Sequence, residues 1–237
     1  MLRILLLLSF VISTFANAQD KHFTPPDYKA IKIATNDKNS HYYHPALMSR
    51  YKKNDNTLDS IEYRYLYYGY FFNKGSVDFE KKDTLRKEIR AISGNKNHSE
   101  GELLRLVDIT KQYLDLDPFA LDEIEMLYYV SRRLEDTVTS LNCMYKLRGM
   151  VSTILSTGDG KTDSTGYHVV DVSHEYFILS TFDYRSKGQI LTAHPCDYLE
   201  LEPNNDNIEG MYFDVTQIFE GYKDIFSDSP LGEEKKT

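Results

Sequence analysis

The stretch TGDGKTDSTG, residues 157–166, divides the chain into two parts with different sequence patterns. It contains glycine, serine, threonine, aspartate and one lysine, and no apolar residue. This composition is typical of a loop between regular elements. Upstream of it apolar residues recur at the spacing of helices, and downstream they follow the shorter period of strands. The sequence therefore predicts an α+β fold, with a helical half at residues 19–157 and a strand-rich half at residues 158–237.

The upstream half predicts an array of antiparallel helix pairs. Short polar turns separate the helices, and capping signals such as Ser99 with Glu102 mark where they begin. The segment at Leu58 partly recurs at Leu121, so the array is expected to be tetratricopeptide-like in architecture only. Helices are expected at about residues 25–36, 45–51, 58–72, 79–92, 100–114, 118–134 and 138–156.

The downstream half predicts a small, mostly antiparallel sheet and a closing C-terminal helix. Strands are expected at residues 167–172, 176–182, 189–193, 198–201 and 211–215, and the helix at residues 216–226. The first two strands would form a hairpin around Ser173, His174 and Glu175. Residues 176–182 are apolar on both faces, so we expect helices to cover this sheet.

Residues 1–18 have the features of a cleavable export signal. Arg3 precedes an apolar core from Ile4 to Ile12, and Ala16-Asn17-Ala18 is an A-x-A cleavage motif. The apolar stretch is far shorter than the ~20 residues of a membrane-spanning helix. No cysteine follows the core, so no lipoprotein signal is indicated. We expect an exported chain that begins at Gln19, is not transmembrane after cleavage, and is located in the periplasm or secreted.

The composition excludes some classes of protein. The formal net charge of -8 argues against a nucleic-acid partner, which needs a basic surface to contact phosphates. Two cysteines are too few for a disulfide-built scaffold or a cysteine-rich zinc site. In an oxidising compartment Cys143 and Cys196 could form a disulfide, or they could be two small buried hydrophobic residues.

The tyrosines carry the most information about binding, because the chain contains 19 tyrosines and no tryptophan. The helix expected at residues 58–72 has one apolar stripe formed by Ile61, Tyr65, Tyr68 and Phe72, and an opposite one formed by Tyr63, Tyr67 and Tyr70. Because Ile61 and Phe72 are plainly apolar, we expect their stripe to face the core. Tyr63, Tyr67 and Tyr70 would then line a groove that binds an envelope protein or peptide. A tyrosine-rich core is the alternative.

Three residues of the strand-rich half are weak candidates for catalysis: His168, His194 and Cys196. A cysteine nucleophile with a histidine base and an aspartate is a known catalytic arrangement. However, His168 and Asp171 would point to opposite faces of one strand. Cys196 follows Pro195 in an expected loop, without a helix N-terminus to lower its pKa. Ordinary loop and strand residues are the alternative.

Two further motifs are too incomplete to indicate a metal or a phosphate ligand. His41 and His44 lack the additional ligands that a zinc site requires. The segment Gly158-Asp159-Gly160-Lys161 lacks the residue spacing of a phosphate loop and the alternating aspartates of a calcium loop. The sequence therefore predicts no cofactor and no metal.

Eight segments, spread over nearly the whole mature chain, resemble a known family. They are Pro26-Asp27-Tyr28, residues 41–51, residues 63–69, Asp117-Pro118-Phe119, residues 158–161, residues 175–179, Cys196-Asp197-Tyr198 and Tyr212-Phe213-Asp214. With these segments the chain resembles the Bacteroidota-type exported family catalogued as domain of unknown function 4919. The resemblance implies that the two halves form one unit, and it brings no activity, cofactor or catalytic residue.

Three classes of function follow as expectations. The leading one is a non-enzymatic binding or scaffold protein of the bacterial cell envelope. The first alternative is an envelope hydrolase with a His/Cys/Asp site in the strand-rich half. The second alternative is an accessory subunit of a surface complex.

Overall fold

The computed structural model describes residues 23–95, 97–193 and 195–227. The export signal predicted at residues 1–18 and the candidate His194 lie outside these ranges. Within them, nine α-helices and four strands are present, and most of the helices precede the strands. The predicted α+β fold is therefore confirmed.

Seven helices precede the loop at residues 157–166. They are α1 (Tyr28–Asn36), α2 (His44–Lys52), α3 (Ser60–Asn73), α4 (Phe79–Ser93), α5 (Glu100–Leu116), α6 (Leu121–Arg133) and α7 (Thr137–Leu155). Consecutive helices from α4 to α7 pack on one another. Helices α3 and α5 both begin with capping boxes, the second formed by Ser99 and Glu102 as predicted. From α4 to α7, the short polar turns thus let each helix pack against the one before it.

The strand-rich half contains a four-stranded mixed sheet. After a 3-10 helix at Asp163–Thr165 the elements are β1 (Tyr167–His168), α8 (Ser173–Thr181), β2 (Ser186–Leu191), β3 (Cys196–Leu201), β4 (Gly210–Asp214) and α9 (Thr216–Ser227). The strand order is β1-β4-β3-β2. Strands β2, β3 and β4 pair antiparallel, and β1 pairs parallel with β4. The mostly antiparallel sheet and the closing helix agree with the prediction.

The hairpin predicted at residues 167–182 is wrong. Strand β1 has two residues, and Ser173–Thr181 is a helix that three consecutive buried residues anchor in the core: Phe177, Ile178 and Leu179. A short run that is apolar on all sides suits a buried strand and a buried helix equally. Asp171 favours the helix locally, because its Oδ1 accepts hydrogen bonds from the backbone N and the Oγ of Ser173.

A single hydrophobic cluster extends through both halves. It includes Leu66 of α3, Ile178 of α8, Leu199 of β3 and Phe213 of β4, none of which exposes measurable surface. A second, smaller cluster lies among α4, α5 and α6. Helix α3 packs against α1, α2, α7 and α9, so it is enclosed on several sides.

The loop at residues 157–166 closes on itself between α7 and the sheet. The carbonyl oxygen of Thr165 accepts hydrogen bonds from the backbone N of Asp159 and of Gly160, at 3.0 and 2.9 Å. Gly160 has a φ of 67°, in the left-handed region that favours glycine. Gly158 lies so close to the Thr165 carbonyl that a Cβ would collide with this backbone oxygen. The loop therefore needs a glycine at position 158.

We predict that Gly158→Ala destabilises the protein, because the added Cβ must displace backbone atoms of the closed loop. Overpacking of this kind costs about 1–3 kcal/mol, which urea unfolding can measure. Gly101→Ala in α5 is the matched control, since its Cβ would meet no atom within 4 Å. The control should keep or raise the free energy of unfolding, by up to about 1 kcal/mol. Equal stability of the two variants would contradict the closed loop.

Candidate functional site

The predicted groove lined by Tyr63, Tyr67 and Tyr70 is wrong, because α3 is packed on both of its apolar stripes. Tyr63 and Tyr67 are buried, Tyr70 is partly buried, and Ile61, which was expected inside, is 51% exposed. The surrounding helices enclose nearly all of α3, so both of its apolar stripes contact other helices. Ile61, near the start of α3, is left facing solvent. The tyrosine-rich core, the alternative interpretation, is confirmed by the burial.

The buried tyrosine hydroxyls are compatible with a core position because they have partners. The hydroxyl of Tyr67 lies 2.6 Å from Nδ1 of His174 in α8 and accepts a hydrogen bond from the backbone N of Val170 at 3.3 Å. The other ring nitrogen of His174, Nε2, is 2.8 Å from the carbonyl oxygen of Phe119. A carbonyl only accepts, so Nε2 carries the proton and Nδ1 accepts from Tyr67.

This arrangement is a closed structural network rather than a catalytic dyad. Burial lowers the pKa of His174 and raises that of Tyr67, so both groups are neutral at pH 7. Each polar atom is satisfied by another buried group. The network joins α3, α8 with the segment before it, and the turn between α5 and α6.

The candidates His168 and Cys196 lie in one row of the sheet, with Asp214 between them. His168 is opposite Asp214 in the β1–β4 pair, and Cys196 is opposite Asp214 in the β3–β4 pair. His168 Nδ1 is 3.7 Å from Asp214 Oδ1. Burial, with Asp214 as a nearby negative charge, raises the pKa of the Cys196 thiol to about 12. A nucleophilic thiolate needs the opposite shift, so this row does not favour cysteine catalysis.

The disulfide considered between Cys143 and Cys196 is not formed, and both thiols are free and buried. Cys143 lies on α7 in the hydrophobic cluster, where burial raises its pKa to about 11. The Sγ of Cys196 instead donates to the carbonyl oxygen of Asp163, at 3.3 Å. The two thiols thus have different surroundings, and the interpretation as small buried residues is confirmed.

The two histidines of the incomplete metal motif, His41 and His44, also have local structural partners. His44 is buried, its Nε2 lies 3.1 Å from the carbonyl oxygen of Leu66, and burial lowers its pKa to about 4. His41 lies 3.1 Å from the carboxylate of Glu62 instead. The part of the chain that the structure describes contains no group of three or more His, Cys, Asp and Glu side chains placed to hold a metal ion.

A buried carboxyl pair, Glu175 and Asp197, lies between α8 and β3. Glu175 has no exposed surface, and neither of its carboxyl oxygens has a hydrogen-bond partner among the described residues. Asp197 accepts a hydrogen bond from Nε2 of Gln189 at 2.6 Å. Burial, together with the adjacent Asp197, raises the pKa of Glu175 to about 9. Glu175 therefore carries a proton at neutral pH.

A groove of about 350 Å³ lies in the helical half, among the end of α2, the end of α5, α6 and α7. Its volume is within the range of small-molecule sites. Its apolar lining is formed by Tyr51, Leu114, Pro118, Ile124, Leu127 and Cys143, and its polar lining by Lys52, Asn54, Lys111, Asp115, Thr139, Asn142 and Lys146. We take this groove as the candidate binding site.

Lys146 is the most unusual polar group of the groove. Its ammonium lies 4.6 Å from the centre of the Tyr51 ring, and no carboxylate of a described residue lies within 4.0 Å of it. Burial lowers the pKa of Lys146, and the nearby Lys52 lowers it further. Tyr51 is itself fixed by its hydroxyl, which donates to the carbonyl oxygen of Pro118 at 2.9 Å.

Sequence reasoning missed this groove. Lys146 stands in an otherwise apolar part of α7, three residues after Cys143. That position was a weak signal, because lysines often cover apolar surface with their methylene stems. The Tyr51 partner is 95 positions away, at the end of α2, so only the helix packing brings the two side chains together.

The model of the family described as a domain of unknown function (DUF4919) matches residues 29–224. The chain therefore belongs to this family. Comparison with curated proteins and comparison with solved structures gave no match.

We predict that Glu175→Gln raises stability increasingly as pH rises. The pKa of Glu175 is about 9 in the fold and near its ordinary value of 4.5 in the unfolded chain. Its contribution is therefore complete below pH 4.5 and is lost as pH rises toward 9, by up to about 1.4 kcal/mol per pH unit. Glutamine does not ionise and avoids this loss.

Urea unfolding at pH 4, 6 and 8 tests the expectation. Glu175→Gln should match the parent protein at pH 4 and exceed its stability at pH 8. The control is Glu202→Gln, at an exposed position of the same half, which should follow the parent at all three values. A constant difference between Glu175→Gln and the parent from pH 4 to pH 8 would contradict a buried, protonated Glu175.

Proposed function

We propose that the protein is a non-enzymatic binding protein of the bacterial cell envelope, with its ligand site in the groove among α2, α5, α6 and α7. The single observation that carries this proposal is the partly buried Lys146 in that groove, which has no carboxylate of a described residue within ion-pair distance. A desolvated cation costs free energy unless a partner compensates it. A ligand bound in the groove would be such a partner.

The envelope location rests on the sequence of residues 1–18. Arg3, the apolar core and the Ala16-Asn17-Ala18 motif are the three parts of a cleavable export signal. In the described ranges, none of the helices has the length and apolar character needed to span a bilayer. Export to the periplasm or the medium is thus the location we propose for the mature chain.

The alternative functions receive less support. A hydrolase that uses Cys196 would have to ionise a thiol whose pKa is raised to about 12. The tyrosine stripe expected to contact an envelope protein or peptide is buried, so it gives no support for such a partner. Binding of a protein or peptide and a role as accessory subunit stay predictions. The dimensions of the groove favour a small molecule.

We predict that Thr139→Trp abolishes ligand binding by filling the groove. Thr139 lines the groove on α7, whereas its neighbour Val138 is exposed on the same helical turn. Val138→Trp is therefore a control for the added indole. Native mass spectrometry of protein purified from the host envelope should show a bound small molecule on the parent and on Val138→Trp, and none on Thr139→Trp. A bound mass that Thr139→Trp retains would contradict the proposed site.

The same preparation tests the location. The N-terminal peptide of the mature protein should begin at Gln19 in the periplasmic or secreted fraction. If the mature pool instead retains Met1 and stays in the cytoplasm, the envelope part of the proposal is wrong, whatever the groove binds.

A further inference from the structure

We propose that the groove binds a small organic anion, a carboxylate attached to an apolar body, with Lys146 as its ion partner. This inference rests on the proposed function, since it assigns a chemical class to the ligand of the same groove.

The charge of the groove is opposite to that of the whole protein. Three lysines, Lys52, Lys111 and Lys146, line it beside a single carboxylate, that of Asp115. The complete chain has a formal net charge of -8. A local excess of positive charge in an acidic protein attracts anions to that place and repels them elsewhere. The groove is therefore electrostatically selective for an anionic group.

The carboxylate of Asp115 forms no ion pair with a described lysine of the groove. Lys52 Nζ donates to the backbone carbonyl of Asp115 at 3.3 Å, and Lys146 lies against the face of the Tyr51 ring. A ring face attracts a cation but accepts no conventional hydrogen bond from the three N–H groups of an ammonium. The Lys146 ammonium is thus held in place and retains donors for a carboxylate.

The rest of the groove suits an apolar body rather than a second charge. Ile124, Leu127 and Pro118 are buried, and Leu114 is partly buried beside them. Leu114, the least buried of the four, exposes apolar surface that a hydrocarbon group can cover, which is favourable at roughly 25 cal/mol per Å². A ligand with its carboxylate at Lys146 and a short aliphatic or aromatic chain along α6 satisfies both parts of the lining.

Octanoate and 1-octanol are matched probes, because they share the alkyl chain and differ in charge. Isothermal titration calorimetry of the mature protein at pH 7 should show octanoate binding at least about tenfold more tightly than 1-octanol. Lys146→Met keeps the apolar stem of the lysine and removes the charge. It should weaken octanoate binding about tenfold and leave the affinity for 1-octanol unchanged.

Two further variants keep the test decisive. Lys161→Met removes an exposed lysine of the strand-rich half and should leave octanoate binding unchanged. Lys111→Met, at an exposed position of the groove, should weaken it by a smaller factor than Lys146→Met, roughly twofold. This second groove variant tests the charge even if Lys146→Met does not fold.

The outcomes separate the two proposals. Equal binding of octanoate and 1-octanol, blocked for both by Thr139→Trp, would overturn the anionic ligand and leave the groove as a binding site. Octanoate binding that Lys146→Met does not weaken would also overturn it. Binding of neither probe would overturn the inference as well, and the mass spectrometry of Thr139→Trp would then decide separately whether the groove binds any ligand.

Discussion

The hydrogen bond between Tyr67 and His174 is the interaction on which the rest of the structure depends. It joins two fully buried side chains that are 107 positions apart, one on α3 and one on α8. In a low-dielectric interior an unpaired hydroxyl or imidazole is costly, so both groups must keep their partners. The backbone N of Val170 and the carbonyl of Phe119 complete the network, which thereby fixes three chain segments relative to each other.

The same network shapes the groove through the turn between α5 and α6. Phe119 accepts the hydrogen bond from His174, and its ring packs edge-on against those of Tyr51 and Tyr70, at 5.4 and 5.0 Å. The preceding residue, Pro118, accepts the hydrogen bond from the Tyr51 hydroxyl. The ring of Tyr51 in turn supports the ammonium of Lys146. A tyrosine-rich core thus contributes to the shape of the groove, by positioning the aromatic ring of its lining, that of Tyr51, beside the lysine.

Local signals in the sequence were sufficient for much of the fold. The capping box at Ser99 predicted the start of α5, and the polar loop at residues 157–166 predicted where the helical pattern ends. Features that depend on tertiary packing were not predictable. Within α8, residues 176–179 are consecutively apolar, and such a short run does not distinguish a helix from a strand by its period. The prediction that Ile61 faces the core is wrong, because a tyrosine with a buried partner for its hydroxyl suits the core equally well.

The groove illustrates the same limit for function. It has no sequence motif, because its lining comes from four helices whose packing brings Tyr51 and Lys146 together. The sequence alone does not reveal which of the lysines is removed from solvent in the fold. Only the three-dimensional arrangement distinguishes Lys146 from the exposed lysines. The family match covers residues 29–224, and the chemistry has to be argued from the site itself.

The most direct measurement of the central claim is the free energy of unfolding of Tyr67→Phe, with Tyr145→Phe as control. Phenylalanine keeps the ring and removes the hydroxyl, which leaves Nδ1 of His174 and the backbone N of Val170 without their partner. We expect a loss of about 2–3 kcal/mol for Tyr67→Phe. For Tyr145→Phe, whose ring is 40% exposed, a change within about 0.5 kcal/mol is expected. Equal, small effects of the two substitutions would contradict the claim that the Tyr67–His174 bond holds the two halves together.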